Sequence, residues 1–125
     1  MPYRPAMEIP ELADLIWLFE DDPATEYEDM DWPVGLHSFR LQRGNREVLF
    51  SLDPTSGEAY VTIAEAGDEV VSIGRLRRLE SVSVEKHEDC EGLALRFTED
   101  RHEPLWLQTR PAIRLSWNAM PLGTW

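Results

Sequence analysis

Three histidines and one cysteine are the residues of this sequence best suited to act as a base, a nucleophile or a metal ligand. In the segment from His37 to Leu41, apolar and polar residues alternate, and His37 shares the apolar positions with Phe39 and Leu41. Alternation of this kind is typical of a half-buried strand. We therefore interpret His37 as a hydrogen-bonded core histidine; the alternative is a catalytic base beside an interior pocket.

Cys90 lies among the acidic residues Glu88, Asp89 and Glu91, and neighbouring carboxylates disfavour a thiolate. His87 and Cys90 have a spacing that could serve a metal, but a zinc site needs three or four ligands. No serine stands in a G-x-S-x-G motif, and the glycines form no phosphate-binding pattern. The sequence thus predicts no enzyme, no metal site and no cofactor.

The charge of the chain is strongly negative, with 24 acidic residues, 12 Lys and Arg, and a net charge of -12. Residues 1–32 hold ten of the acids and a single base, Arg4. Nucleic acids and anionic membranes bind proteins through clusters of Lys and Arg, so neither is expected as a partner. Charge asymmetry instead indicates an acidic segment that meets a basic partner.

Residues 20–32 form what we call the acidic connector, which has neither a helical nor a strand period and is predicted to be a loop. Aromatic anchors surrounded by charge combine steering with affinity in protein interfaces. The predicted partner-binding residues are Asp22, Glu26, Tyr27, Glu28, Asp29, Asp31 and Trp32. Two alternatives remain: a solvated loop, or a segment folded onto an arginine-bearing sheet face.

The elements that would position these residues begin with a helix over residues 9–20. Pro10 suits the first turn, and Leu12, Leu15, Ile16 and Phe19 follow the spacing of one apolar helix face. From Pro33 onward the pattern alternates with period two, and turn residues such as Gly44-Asn45 recur at short intervals.

This pattern predicts an α+β, mostly β fold: an N-terminal helix followed by a meander of about seven to eight short antiparallel strands. Eight strands are expected, around residues 37–42, 48–52, 59–63, 70–73, 79–84, 93–97, 105–107 and 113–117. The sheet would span residues 33–118 and form a barrel-like or two-layer arrangement. Residues 1–125 are expected to form one domain.

A second candidate surface is the outer face of the last strands, where Arg96, Trp106 and Arg114 would lie together. If the strands pair across a turn at 99–103, Leu95 should face Leu107 and Arg96 should face Trp106. Arg114 would then face Gln108. A cation–π cluster and a shallow anion or partner site are both consistent with this patch.

Taken together, these features predict a small cytoplasmic, bacterial, non-catalytic protein-interaction module that binds a basic protein partner. A regulator, an antitoxin and an immunity-type protein would each fit, and a small-ligand-binding or enzymatic barrel near His37 is the alternative. The cytoplasm is expected because the one cysteine cannot form an internal disulfide and no apolar run resembles a signal or a membrane span. Five tryptophans in so short a chain also make a homodimer an expected option.

Overall fold

The computed structural model describes residues 8–25, 32–98 and 104–117. One helix is followed by two antiparallel sheets, which we call sheet one and sheet two. Their elements in chain order are α1 (Leu12–Phe19); β1 (Ala24–Thr25), β2 (His37–Arg43), β3 (Arg46–Asp53), β4 (Glu58–Glu65) and β5 (Asp68–Leu76) in sheet one; and β6 (Leu79–Lys86), β7 (Glu91–Phe97), β8 (Leu105–Arg110) and β9 (Arg114–Ser116) in sheet two. Within each sheet every strand neighbours the next one in sequence, as the predicted meander requires, and the order is interrupted only between β5 and β6.

The helix packs its apolar side into the core, as its spacing predicts. Leu15, Leu18 and Phe19 are buried, and the Phe19 ring stacks on Phe39 at 5.4 Å and on Phe50 at 5.8 Å between ring centroids. These two partners belong to β2 and β3, so α1 lies on the inner face of sheet one.

The predicted start of the helix was wrong, because α1 begins at Leu12 rather than at residue 9. Glu8 instead forms a parallel bridge with β6: its N–H donates to the Glu80 carbonyl at 3.0 Å, and Val82 N–H donates to the Glu8 carbonyl at 2.8 Å. Pro10 has no N–H and cannot extend this bridge. The chain therefore leaves the strand there and turns into the helix.

Two hairpin turns in sheet one depend on backbone conformations with positive φ. Gly44, with φ of 64°, begins the two-residue turn between β2 and β3, where the sequence predicts a hairpin. The turn between β4 and β5 has positive φ at both Ala66 and Gly67, at 52° and 87°. Alanine rarely adopts this conformation because its Cβ crowds the backbone.

Of the two predicted arrangements, barrel-like and two-layer, the strands do not form a closed barrel but two sheets. The strands separate into two sheets after β5, where Arg78 takes a φ of 59° and the Leu79 N–H donates to the Gly57 carbonyl at 3.5 Å. All eight predicted strands are present as β2–β9, and the two-residue β1 is an addition within the predicted loop.

The predicted register between β7 and β8 was wrong by two residues. Leu95 faces Leu105, Leu93 faces Leu107, and Ala94, not Arg96, faces Trp106. A register shift between Glu91 and Gly92 accompanies this difference. Since the side-chain period of a strand is two, a shift of two residues leaves each side chain on its predicted face. The predicted pairing of Gln108 with Arg114 is confirmed.

One hydrophobic core joins α1 to the inner faces of both sheets. Its largest fully buried side chains are Phe19, Phe39, Phe50, Leu15, Leu18, Leu52, Leu79, Leu93, Leu95, Leu105, Leu107 and Ile113. The polar outward positions of β2–β9 consequently form two separate surfaces on which a partner could dock.

Candidate protein-interaction surface

Negative charge is concentrated at the start of the described chain. Residues 8–25 contain six carboxylates and no Lys or Arg, whereas the described residues from 32 onward contain eleven carboxylates against ten Lys and Arg. The two sheets are therefore almost neutral, and the segment around α1 carries most of the charge. Five of its carboxylates form no ion pair within the described residues: Glu8, Glu11, Asp14, Asp21 and Asp22.

The acidic connector is only partly described. Asp22 is exposed, and its N–H donates to the carboxylate of Asp21 at 2.8 Å. Trp32 is half-buried and packs edge-on against His37 and Phe39, at 5.2 and 6.2 Å between ring centroids, so its ring contacts the core. The other predicted partner-binding residues lie outside the described residues: Glu26, Tyr27, Glu28, Asp29 and Asp31.

Glu20 is the one carboxylate of the α1 segment that is neutralised by arginines in the described residues. It follows the last residue of α1 with φ of 63°, and its N–H donates to the Ile16 carbonyl at 2.7 Å. Its carboxylate accepts hydrogen bonds from Arg43 of β2 and from Nε of Arg110 of β8, the latter at 3.3 Å. The hydrogen bond from Arg43 holds the pKa of Glu20 below its usual value; partial burial opposes this shift, and Arg110 adds to it.

The two arginines extend this contact into a cluster that links both sheets, which we call the Glu20 cluster. Arg43 Nε donates to the Thr109 carbonyl at 2.7 Å, and Arg110 Nη1 donates to the Glu91 carboxylate at 2.7 Å. The helix end, β2, β7 and β8 are thus joined through charge-assisted hydrogen bonds, which are stronger than neutral ones. The cluster holds the acidic segment in place against both sheets.

Trp17 stands beside the Glu20 cluster between two cations. Arg110 Cζ lies 4.2 Å and Lys86 Nζ 4.1 Å from the centre of the Trp17 ring. Arg110 Nη2 also donates to the Trp17 carbonyl at 2.8 Å. The indole remains 39% exposed, so cation–π contacts shield only part of it.

The predicted outer-face patch of sheet two is organised by β6. Arg96 donates to Ser83 at 3.0 Å and to the Glu85 carboxylate at 2.9 Å, and the Trp106 ring meets His87 edge-on at 5.4 Å. Arg114 is exposed opposite Gln108. The three predicted residues share a face, but in the described structure neither arginine stacks on Trp106.

Glu85 is the charge partner that sequence reasoning did not identify on this face. Its burial raises the pKa of the carboxyl, but hydrogen bonds from Arg96 and Ser83 and the nearby charges of Arg96 and His87 outweigh burial, so the pKa is lowered. His87 lies 3.3 Å from the same carboxylate. The charges of this face are therefore largely matched within sheet two.

His37 lies in the core, with 1% of its surface exposed. Its Nε2 donates to the Val34 carbonyl at 2.8 Å, and Nδ1 is buried without a hydrogen-bond partner in the described structure. No group of three or more His, Cys, Asp or Glu residues is arranged to hold a metal ion within the described ranges. Nor is any helix there long and apolar enough to cross a membrane.

No protein-family model matches the sequence, and no curated protein is similar to it in sequence. The fold is similar to that of a chain in a solved contact-dependent growth inhibition toxin–immunity protein complex from Klebsiella pneumoniae 342. The TM-score is 0.78 at 13% sequence identity, and the match covers 94% of this chain and 100% of the other. The two chains therefore share a fold over most of their length, although few of their residues are identical.

Proposed function

We propose that this chain is an immunity-type protein-interaction module that binds a basic protein toxin and has no catalytic role of its own. The observation that carries the proposal is the segment of residues 8–25, which holds six carboxylates without a single Lys or Arg. The similarity to a chain of a toxin–immunity protein complex supports a role within a pair of this kind. Regulators and antitoxins of basic proteins would use the same electrostatic principle.

Charge is the reason to favour the immunity side of such a pair. Opposite charges steer two proteins together and raise the rate of association, an advantage for a protein that must find its toxin quickly. The five carboxylates without ion pairs in the described segment remain available to an incoming basic surface. We propose that this binding occurs in the cytoplasm; a homodimer of the free protein remains a prediction.

The alternative function, a small-ligand or enzymatic barrel centred on His37, has less support. Ligand sites in barrels depend on a closed interior or an open mouth lined by convergent polar groups. The strands here form two sheets that do not close, and among the described residues His37 makes a hydrogen bond to the backbone of Val34, in the loop before β2. A histidine held in this way is better explained as part of the core.

A growth-protection assay tests the proposal. A candidate toxin domain, chosen from the proteins encoded beside this chain in its genome, is expressed from an inducible promoter in a bacterial host, with and without this chain. We expect the domain alone to arrest growth and co-expression to restore it. If no neighbouring domain is toxic, or if co-expression leaves growth arrested while both proteins are produced in folded form, the immunity role is wrong.

A binding measurement with purified proteins separates protection by contact from indirect protection. We expect a stable complex whose Kd increases steeply between 0.05 and about 0.5 M salt, because exposed charges are screened over about 8 Å at physiological ionic strength. If this chain protects growth but forms no complex with the toxin domain, protection does not arise from direct binding, and the proposed interaction is wrong. A complex that is insensitive to salt would contradict the electrostatic basis of the proposal.

A further inference from the structure

The outer face of sheet one carries few charged side chains at its centre, although the protein as a whole is highly charged. Cross-strand neighbours form rows on that face: Ser38 with Ser51 and Tyr60, then Arg40 with Leu49, Thr62 and Ser72. A further row consists of Gln42, Glu47, Ala64 and Glu69. The centre of the face is therefore uncharged, and its charged side chains lie toward the margins.

The polar groups at the centre satisfy one another rather than reach outward. Ser38 and Ser51 share a hydrogen bond of 2.7 Å, and Thr62 and Ser72 share one of 3.4 Å. Leu49 lies between these pairs and is half-buried. A centre depleted of charge, with polar groups at the rim, is the usual composition of a protein–protein interface.

The helix does not cover this face, because α1 packs on the opposite side of the sheet through Phe19. At one margin, a groove of about 410 Å³ runs between the start of the acidic connector and the face. It is lined by Asp21, Asp22, Ala24, Ser38, Arg40 and Leu49. Two carboxylates without ion pairs in the described structure thus stand beside an apolar side chain.

The charge of this margin indicates what would occupy it. Arg40 is 66% exposed and lies 3.6 Å from Glu47, a distance and exposure at which an ion pair contributes little. Asp21 and Asp22 are exposed and can accept hydrogen bonds from a cation. Long basic side chains bury their stems on apolar surface and keep the charged head on a carboxylate.

Sheet two offers a weaker alternative. On its outer face Arg96 already forms an ion pair with Glu85, and His87 lies beside the same carboxylate, so a partner would have to displace these contacts. The groove beside β6, of about 350 Å³, has carboxylates from Glu8 and Asp14 but also Arg96 in its lining. Arg40 likewise lines the groove on sheet one, but it is largely exposed and its contact with Glu47 is weak. Arg96, in contrast, is held in place by hydrogen bonds to Ser83 and Glu85.

We propose that the basic protein partner docks on the outer face of sheet one and inserts an arginine or lysine side chain into the groove between Asp21, Asp22 and Leu49. This inference rests on the proposed function, since it names the surface through which that function is carried out. It assigns Asp21 and Asp22, at the start of the acidic connector, to one wall of the binding face.

The test measures the affinity of the purified toxin domain for two matched variants. Leu49→Arg places a positive charge at the centre of the proposed face, and Ser116→Arg makes the same charge change on exposed β9 of sheet two. We expect Leu49→Arg to weaken binding at least about 100-fold, because like charge inside an interface is strongly unfavourable. We expect Ser116→Arg to change the affinity less than about threefold.

A second variant tests the groove itself. Asp21→Asn combined with Asp22→Asn should weaken binding about tenfold and reduce its salt dependence. The matched change of Glu88→Gln with Asp89→Asn, in the exposed turn between β6 and β7 of sheet two, should have a smaller effect. Thermal melting of each variant identifies any loss of folding. A folded Leu49→Arg variant with unchanged affinity would overturn the inference, as would equal losses from Leu49→Arg and Ser116→Arg. Failure of the unsubstituted chain to bind would instead refute the proposed function.

Discussion

Substitution of Glu20 by Gln removes the charge at the centre of the Glu20 cluster and keeps the length of the side chain. The side chain of Glu20 is 45% exposed, and the side chains of Arg43 and Arg110 are 27% and 26% exposed. Exposed ion pairs contribute up to about 1 kcal/mol each, and screening by solvent places these two near about 0.5 kcal/mol each. We therefore expect E20Q to destabilise the protein by about 1 kcal/mol at neutral pH. For 125 residues this corresponds to a melting temperature lower by about 4 °C.

The pH dependence follows from the direction of the pKa shift. The pKa of Glu20 is lower in the folded chain than its usual 4.5. As the pH falls, the unfolded chain therefore takes up a proton at this site before the folded chain does. The stabilisation is therefore fully present above pH 4.5 and is lost as the pH falls through the folded pKa. The difference in melting temperature between the native chain and E20Q should accordingly be present at pH 7 and decrease as the pH falls below 4.5.

Two further variants separate charge from backbone strain at this position. Glu20 has a φ of 63°, in the left-handed region where glycine is the favoured residue after a helix. E20G also loses the carboxylate but relieves the backbone, so it should be more stable than E20Q by about 1 kcal/mol. Glu80→Gln, an exposed carboxylate with no ion pair in the described structure, serves as the control and should leave the melting temperature unchanged. Melting followed by circular dichroism is sufficient; equal melting of E20Q and the native chain at pH 7 would refute the cluster's role.

Three other substitutions test the fold. Ala66→Asn should stabilise the protein by about 0.5–1 kcal/mol in chemical denaturation, because Asn tolerates the positive φ of this turn better than Ala; no gain would mean that the turn is not strained. Gly92→Ala should destabilise it by about 3 kcal/mol or more, since a Cβ there would lie 2.2 Å from the Leu107 carbonyl oxygen; a stable G92A would exclude this close approach. His37→Phe should change the free energy of unfolding by less than about 1 kcal/mol, because the lost hydrogen bond to Val34 is offset by removal of a buried nitrogen that has no partner in the described structure. If a folded H37F variant no longer protected against the toxin, the ligand-site alternative would be restored.

Much of the sheet architecture follows from local pattern. Alternating apolar residues and turn signals located all eight longer strands, and the parity of His37 placed it correctly on the inner face. Local pattern could not show whether the strands would close into a barrel or separate into two sheets after β5. That outcome depends on the direction of the chain at Arg77 and Arg78. Arg78 adopts a left-handed conformation that its residue type gives no reason to expect.

Long-range charge contacts were also inaccessible to sequence reasoning. Glu20 is separated from Arg43 by 23 residues and from Arg110 by 90, and nothing in their local sequences pairs them. Glu20 is the last residue of the predicted helix, where the helix dipole favours basic residues, and this acidic residue was the one available signal of a special role. The register between β7 and β8 was also inaccessible, because it depends on the connection between the two strands, and a shift of two residues leaves the alternating pattern unchanged.

The rate of association between this chain and the purified toxin domain, measured by stopped-flow against ionic strength, tests the central claim most directly. Electrostatic steering predicts an association rate constant that falls at least about tenfold between 0.02 and 0.3 M salt, while the dissociation rate changes much less. An association rate constant that stays the same across this range would contradict an acidic surface that recruits a basic partner.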